Sequence, residues 1–317
     1  MLYRTLGTTG LQISAIGLGG HWRTADGRRY EDHFANDEVP SDVLRNRAEV
    51  VAACLDAGIN YIDITTAAEA LAYGRVLELN GCRDCVLIGA DDYQWSGRNR
   101  TNINESSLIA NVERCLHRLR TDYLDIWRVT ADMHGQNTDA EIETIIAAAD
   151  RLRSAGKIKF LGVSSHHPDW LQNTLERFNA FDVALMPCPL LKPCPPIKGQ
   201  PHMPPRSQTI LSNTTHPISR NVGTIGIKPF AGGTWFATSS QHSPHILARI
   251  GLQFILQHRP EITCVVPGLS TLDEVYSAIA AIDAPPLDST QWALLNSHAV
   301  VVRNSLGSDY AWLSAWA

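Results

Sequence analysis

The chain has 317 residues, 44% of them hydrophobic and 19% charged, with a formal net charge of −5. The charges are scattered, with no basic stripe interleaved with aromatics, which argues against nucleic acid and anionic membrane as partners. No apolar run approaches about 18 residues, and the opening M-L-Y-R-T-L-G lacks a signal-type apolar core, so a cytoplasmic protein acting on a small molecule is expected.

In chain order, residues 2–6 and 11–14 read as a hairpin around Gly7-Thr8-Thr9-Gly10. A strand at 13–20 then runs into His21-Trp22, and a polar stretch at 23–42 precedes a helix capped by Ser41. Its apolar positions Leu44, Ala48, Val51, Ala52 and Leu55 follow the helical period and end at Gly58. The run Gly58-Ile59-Asn60-Tyr61-Ile62-Asp63 is a buried-type strand ending on a carboxylate. A helix at 69–79, a strand at 85–91, a helix with Leu108, Val112, Cys115, Leu116 and Leu119 on one face, and a strand at 123–130 follow. Thr138-x-x-Glu141 is a capping box, and strands at 159–165, 181–187, 224–228 and 262–266 complete eight. Thr271-x-x-Glu274 opens the helix after the last.

Strands that alternate with amphipathic helices pair in parallel through right-handed crossovers, and eight such units favour closure. The expected fold is a single α/β domain over 1–317, a (β/α)8 TIM barrel with an N-terminal β-hairpin plug and an extra C-terminal helix. Residues 192–207 hold six prolines and read as a stiff surface loop. Seven cysteines is an odd number; Cys54, Cys115 and Cys264 sit in apolar runs as reduced thiols, and Cys82-Arg-Asp-Cys85 has no second pair at zinc spacing. Cys188 and Cys194 lie at the proline-rich loop, and no metal is expected.

Six segments, in order, carry a resemblance: Y-R-T-L-G-T-T-G-L-Q-I-S-A-I-G-L-G-G at 3–20, G-I-N-Y-I-D at 58–63, T-D-Y-L-D-I-W at 121–127, G-K-I-K-F-L-G-V-S-S at 156–165, I-K-P-F-A-G-G at 227–233 and V-P-G-L-S-T at 266–271. Together they resemble the aldo-keto reductase superfamily. The resemblance implies ligand at the C-terminal ends of the strands, NAD(P)H-dependent carbonyl reduction, and an Asp, Tyr, Lys and His acting together. Asp63 matches the aspartate. The tyrosine position falls on Ala68, the lysine position on the strand end Gly89-Ala90-Asp91, and the histidine position on Thr130. Tyr73 lies near but reads as helix packing. The cofactor positions expected from the resemblance are Ser164 and Ser165 at the carboxamide, with Gly232, Gly233, Gly268, Ser270 and Thr271 around the pyrophosphate. Leu185 and Ile227 replace the family's glutamine and stacking aromatic. With no arginine in P-G-L-S-T, NAD is favoured over NADP.

Strand parity directs alternate side chains into a barrel, so its mouth should hold His21, Asp63, Asp91, Arg128, Thr130, Ser164, His166 and Lys228. A mouth kept only for folding would be apolar, since buried charge is costly unless paired. Asp63 or Asp91 can serve as base, His21 or His166 as acid, and Arg128 or Lys228 can hold an anionic oxygen, while Trp22, Tyr93 and Trp95 can stack on a sugar or ring. The inert alternative pairs Asp63 with Lys228 and Asp91 with Arg128. Three functions follow: an acid/base enzyme acting on a small polar or carbohydrate-like substrate without the family's tyrosine, an NAD(P)-dependent oxidoreductase with a replaced proton donor, or a non-catalytic binding protein. On the enzyme readings, Asp63→Asn should abolish activity and leave the fold intact.

Overall fold

The computed structural model describes residues 1–22, 38–193, 221–238 and 242–316. Cys194, the proline-rich stretch beyond it, and most of the polar segment after Trp22 lie outside these residues.

The chain opens with a short antiparallel hairpin, β1 (Tyr3–Thr5) and β2 (Gln12–Ser14). Leu6 and Ile13 are fully buried and pack with Tyr61, Ile126, Val183, Leu185, Ile225 and Cys264, so the hairpin closes the bottom of the barrel with apolar side chains. Thr8 N donates to Asn221 O at 3.0 Å and ties the turn to the segment entering a barrel strand.

Seven parallel strands follow in chain order: β3 (Tyr61–Ile64), β4 (Leu87–Ala90), β5 (Leu124–Thr130), β6 (Ile158–Ser164), β7 (Val183–Pro187), β8 (Gly223–Ile227) and β9 (Cys264–Val266). The eighth position is filled by residues 16–18, through bridges Ile16–Val265 and Leu18–Ile62. Gly17 N donates to Val265 O and Leu18 N to Tyr61 O, at 2.9 and 2.8 Å, so β9 and β3 are joined and the barrel is closed. The strand expected over 13–20 is therefore split: its start belongs to the hairpin and only its middle bridges the sheet. At the split, a side chain on Gly17 would meet the Tyr61 ring at 2.9 Å and Cys264 Sγ at 3.1 Å.

Helices α1 (Ser41–Asp56), α2 (Ala67–Asn80), α3 (Glu105–Leu119), α4 (Asp139–Ser154), α5 (Pro168–Arg177), α6 (Thr234–Ala237), α7 (Pro244–His258), α8 (Leu272–Ile279) and α9 (Ser289–Asn304) connect or follow the strands. The capping boxes at Thr138/Glu141 and Thr271/Glu274 form, and a third forms at Thr66/Glu69. Ser41 is not a cap: it is the first helical residue, after Pro40, which makes no side-chain bond to the helix. Residues 308–316 form a 3-10 stretch whose Tyr310 and Trp312 reach the C-terminal end of the barrel. Among the described residues no helix is long and apolar enough to cross a membrane.

The core separates into two layers as the pleat requires. Tyr61, Leu87, Ile126, Phe160, Val183, Leu185, Ile225 and Cys264 form the inner cluster, while Ile62, Ile88, Trp127, Leu161 and Ala184 pack outward against helices. By the same parity Asp63, Gly89, Arg128, Thr130, Gly162 and Ser164 face inward. A Cβ on Gly89 would lie 2.1 Å from Tyr61 Oη, and one on Gly162 would lie 3.2 Å from Arg128 Cβ. These two glycines leave room for a tyrosine and an arginine inside the barrel.

Candidate active site

Asp63, the penultimate residue of β3, is almost fully buried, at 5% exposure. Arg128 Nε lies 2.8 Å from its Oδ1, and Tyr61 Oη donates to the same oxygen at 3.1 Å. Arg128 also donates to Ile64 O at 2.9 Å, Thr65 Oγ1 at 2.7 Å and Thr130 Oγ1 at 3.2 Å, so its guanidinium spans β3 and β5. Burial drives Asp63 upward in pKa and Arg128 opposes that shift; burial also drives Arg128 down, but Asp63 and Asp91 overcome this and hold it charged. Burial first, then the neighbouring Asp63 charge, raises Tyr61, which remains a hydrogen-bond donor. The pairing of Asp63 with Lys228 does not occur, because Arg128 takes that place from inside the barrel. It follows that Asp63→Asn would not leave the fold untouched.

Asp91 is not a mouth residue. It lies one residue past β4, accepting from Ser96 Oγ at 2.6 Å, Thr130 N at 3.0 Å and Asn111 Nδ2 on α3 at 3.3 Å. Its carboxylate staples the strand ends to α3, and neither the base role nor a pairing with Arg128 is formed. Trp22 is likewise in the core at 2% exposure, edge-on to Tyr73 at 5.1 Å with the Arg47 guanidinium 4.5 Å above its ring, so it has no face for a substrate. Tyr73 is buried and donates to Gly19 O at 3.1 Å. Trp95 is exposed and covered by Arg114 of α3, whereas Tyr93 is half-buried beneath Arg98, whose Cζ is 4.9 Å from the ring centre.

His21 follows the bridging segment with φ 51°, and its side chain is 46% exposed. Its Nδ1 lies 2.9 Å from Glu69 Oε1, and its backbone N donates to the same oxygen at 2.5 Å. Glu69 is fully buried and also accepts from Thr65 N at 2.6 Å and Thr66 N at 3.2 Å. Burial would raise its pKa, but His21 and the backbone donors outweigh that and hold the carboxyl ionised. Glu69 was missed in reading the sequence, although Thr66-x-x-Glu69 carries a capping-box pattern that would have placed it at the mouth.

His166 stacks on Trp312 with ring centres 3.8 Å apart, and its carbonyl accepts from Trp316 Nε1 at 2.8 Å. Burial, then Lys228 and Arg98, push its pKa down to about 2, and its Nδ1 is buried without a hydrogen-bond partner. It is a neutral imidazole rather than the expected acid. Lys228 follows β8 at φ 53°; burial, then Arg98 and Arg128, push it down to about 8. Non-glycine residues in this backbone region cost about 1–3 kcal/mol each and gather at functional sites.

Around the expected cofactor path, Ser164 faces inward on β6. The Ser165 hydroxyl is turned to its own loop, donating to His167 O at 3.3 Å and accepting from His167 N at 3.0 Å. Gly232 is covered by Tyr310, whose ring a Cβ there would strike at 2.1 Å; Gly233 at φ 98° is open. Ser270 N and Thr271 N donate to Glu274 Oε2 at 2.5 and 3.2 Å, so those amides are already satisfied by a carboxylate, and Gly268 beside them is exposed. A shallow groove of about 810 Å³ on the outside of α3, lined by Asn104, Ile109, Arg114 and Arg151, contains none of these groups.

A plugged parallel barrel with ionisable groups gathered at the C-terminal ends of its strands is a (β/α)8 barrel of the kind that carries its site on that face. Residues 34–246 match the Aldo/keto reductase family, and the chain belongs to it. It is 30% identical over 172 residues to the aldo-keto reductase YhdN of Bacillus subtilis, an alignment covering 52% of this chain and 47% of that protein. The chain spans about half the length of the first such relatives. With L-galactose dehydrogenase of Arabidopsis thaliana it shares 24% identity over 310 residues, 88% of this chain and 87% of that one. Among solved structures, an aldo-keto reductase from Klebsiella pneumoniae in complex with NADPH superposes with a TM-score of 0.67 at 19% identity, over 95% of this chain and 96% of that one. Aldo-keto reductase AKR11C1 from Bacillus halodurans, in its holo form, gives 0.64 at 20% identity with the same coverage. At these identities the likeness to solved structures concerns the fold.

Proposed function

We propose that this chain is an enzyme of the family that performs acid/base chemistry on a small polar, carbohydrate-like substrate through His21, without the tyrosine whose position is Ala68. The observation that carries this reading is the His21–Glu69 pair: a half-exposed imidazole held through Nδ1 by a buried, ionised carboxylate at the end of a barrel strand. Anchored through Nδ1 to Glu69, the half-exposed imidazole can take a proton from a substrate hydroxyl or, once protonated, give one to a carbonyl oxygen. Glu69 orients the ring and stabilises the imidazolium. Asp63 and Arg128 fix the wall beneath, and the left-handed backbone of His21 and Lys228 aims both side chains from the strand ends.

A nicotinamide dinucleotide fits in part. Gly233 and Gly268 are accessible to it, while Ser164 faces inward at 3% exposure; Glu274 at the Ser270–Thr271 turn suits a ribose hydroxyl while opposing a 2′-phosphate, which favours NAD over NADP. When bound, that group would supply hydride transfer; the proton would come from His21. Cofactor-free chemistry is the second reading, favoured by Tyr310 over Gly232 and by Ile227 where a stacking aromatic would be needed.

Titration with NADH and NADPH, followed by nucleotide fluorescence and melting temperature, separates the two, since binding to the native state raises stability by mass action. Micromolar NADH binding directs a screen of hydroxy-aldehydes and polyols. No binding at millimolar nucleotide directs a screen for deuterium wash-in beside the carbonyl of hydroxy-aldehydes in heavy water. In whichever assay responds, His21→Gln should lose about 100-fold or more; wild-type turnover in that variant overturns the assignment.

A further inference from the structure

We infer that the mouth recognises an anionic group, a carboxylate or phosphate carried by the small polar substrate, through Arg98 and Lys228. This rests on the reading of the mouth as a substrate site and names the class of molecule it takes.

Among the described residues the mouth carries two half-buried cations, Arg98 and Lys228, that no carboxylate neutralises. Asp63 is committed to Arg128 at 2.8 Å, Glu69 to His21 at 2.9 Å, and Asp91 to Ser96, Asn111 and the Thr130 amide. Among the described residues no carboxylate lies within ion-pairing distance of Lys228 or Arg98. Arg98 Nε is buried with no hydrogen-bond partner, and so is His166 Nδ1. Burial of charge without a partner is unfavourable by several kcal/mol, so a protein retains such groups where a ligand completes them.

The placement is built. Gly97 is packed so closely on the end of β5 that a Cβ would lie 2.8 Å from Thr130 O, and Asn137 Nδ2 holds the Gly97 carbonyl at 2.9 Å. This fixes Arg98 above the barrel with its guanidinium on the Tyr93 ring. Lys228 enters from the end of β8 in a left-handed conformation. Burial is the first cause that depresses all three groups; repulsion by Arg98 adds to it at Lys228, and repulsion by Lys228 and Arg98 adds to it at His166, while Asp91 acts on Arg98 in the opposite direction without pairing with it. An anion seated among them would accept from the Arg98 fork and from Lys228 Nζ and remove that repulsion. Arg98 stood in a polar loop with no motif, so nothing in the sequence singled it out.

The test uses the full chain and needs no turnover. Calorimetry and melting curves are recorded with inorganic phosphate, glycolate and glycerol at constant ionic strength, for wild type, Arg98→Met, Lys228→Met, Lys228→Arg and His21→Gln. Phosphate or glycolate, whichever fits, should bind wild type while glycerol does not, and the preferred one identifies the group. Arg98→Met and Lys228→Met should weaken that binding about tenfold or more, and Lys228→Arg should retain it. Both methionine variants should melt at or above the wild-type temperature in anion-free buffer, because an uncompensated, half-buried charge has been removed. His21→Gln should still bind the anion, so loss of turnover there bears on the proposed chemistry and not on this site. Equal anion binding by wild type and both methionine variants, or no binding of either anion by wild type, overturns the inference.

Discussion

At the scale of single residues the mouth is decided by how each charge is compensated. Asp63 and Arg128 form a buried pair, and Asp63→Asn would leave a guanidinium without its anion. That loss should cost about 3–5 kcal/mol in urea unfolding and lower activity with it, whereas Asp63→Asn with Arg128→Met should recover part of the stability. Glu69 has its pKa depressed in the folded state from an ordinary 4.5. Its stabilisation is therefore present above that pH and lost as pH falls through the folded value. Glu69→Gln should cost about 1–3 kcal/mol at pH 7 by unfolding measurements, and the gap to wild type should close on acidification. Lys228 behaves oppositely to a paired lysine, with its pKa pushed down to about 8 from 10.5 by burial, Arg98 and Arg128, against Asp63 and Glu69. Between those values the unfolded chain binds more protons than the folded one, so the Lys228 contribution makes stability rise with pH across that window. Lys228→Met should flatten this rise.

At the scale of elements, the barrel strands carry their interior by pairing large residues with glycine. Tyr61 reaches Asp63 only because Gly89, the register partner of Asp63, has no side chain to block the Tyr61 hydroxyl. Gly89→Ala should destabilise by about 1–3 kcal/mol through overpacking, and adding Tyr61→Phe should return part of it, both read from denaturant melts. The C-terminal 3-10 stretch is the element that silences His166, through the Trp312 ring at 3.8 Å. Trp312→Ala should let water reach the imidazole and move its titration from about 2 toward its ordinary 6.5, followed by the ring proton shifts in NMR. Two capping boxes were read from threonine-to-glutamate spacings and the third, at Thr66/Glu69, was not; only contact with His21 distinguishes Glu69 from Glu141 and Glu274, which cap helices without touching an imidazole.

At the scale of the whole molecule, alternation of strands and helices together with six ordered motifs was enough for the barrel, its hairpin plug and its family, because hydrophobic period and parallel crossover are local properties of a chain. The inward parity of Asp63, Arg128, Thr130 and Ser164 was legible for the same reason: side chains alternate at every residue of a strand. Legibility stopped at the strand ends. Asp91, one residue beyond β4, turned to α3; Trp22 folded onto Tyr73 and Arg47; and the Ser270–Thr271 amides went to Glu274. Past the last ladder bond, direction is set by whichever partner the packed molecule brings within reach, and those partners lie tens to hundreds of residues away in sequence. The sequence by itself therefore determined the architecture and which charges line the barrel. Only the tertiary structure decided which of them neutralise one another, and so left His21 poised on Glu69 and Arg98 and Lys228 without a carboxylate among the described residues.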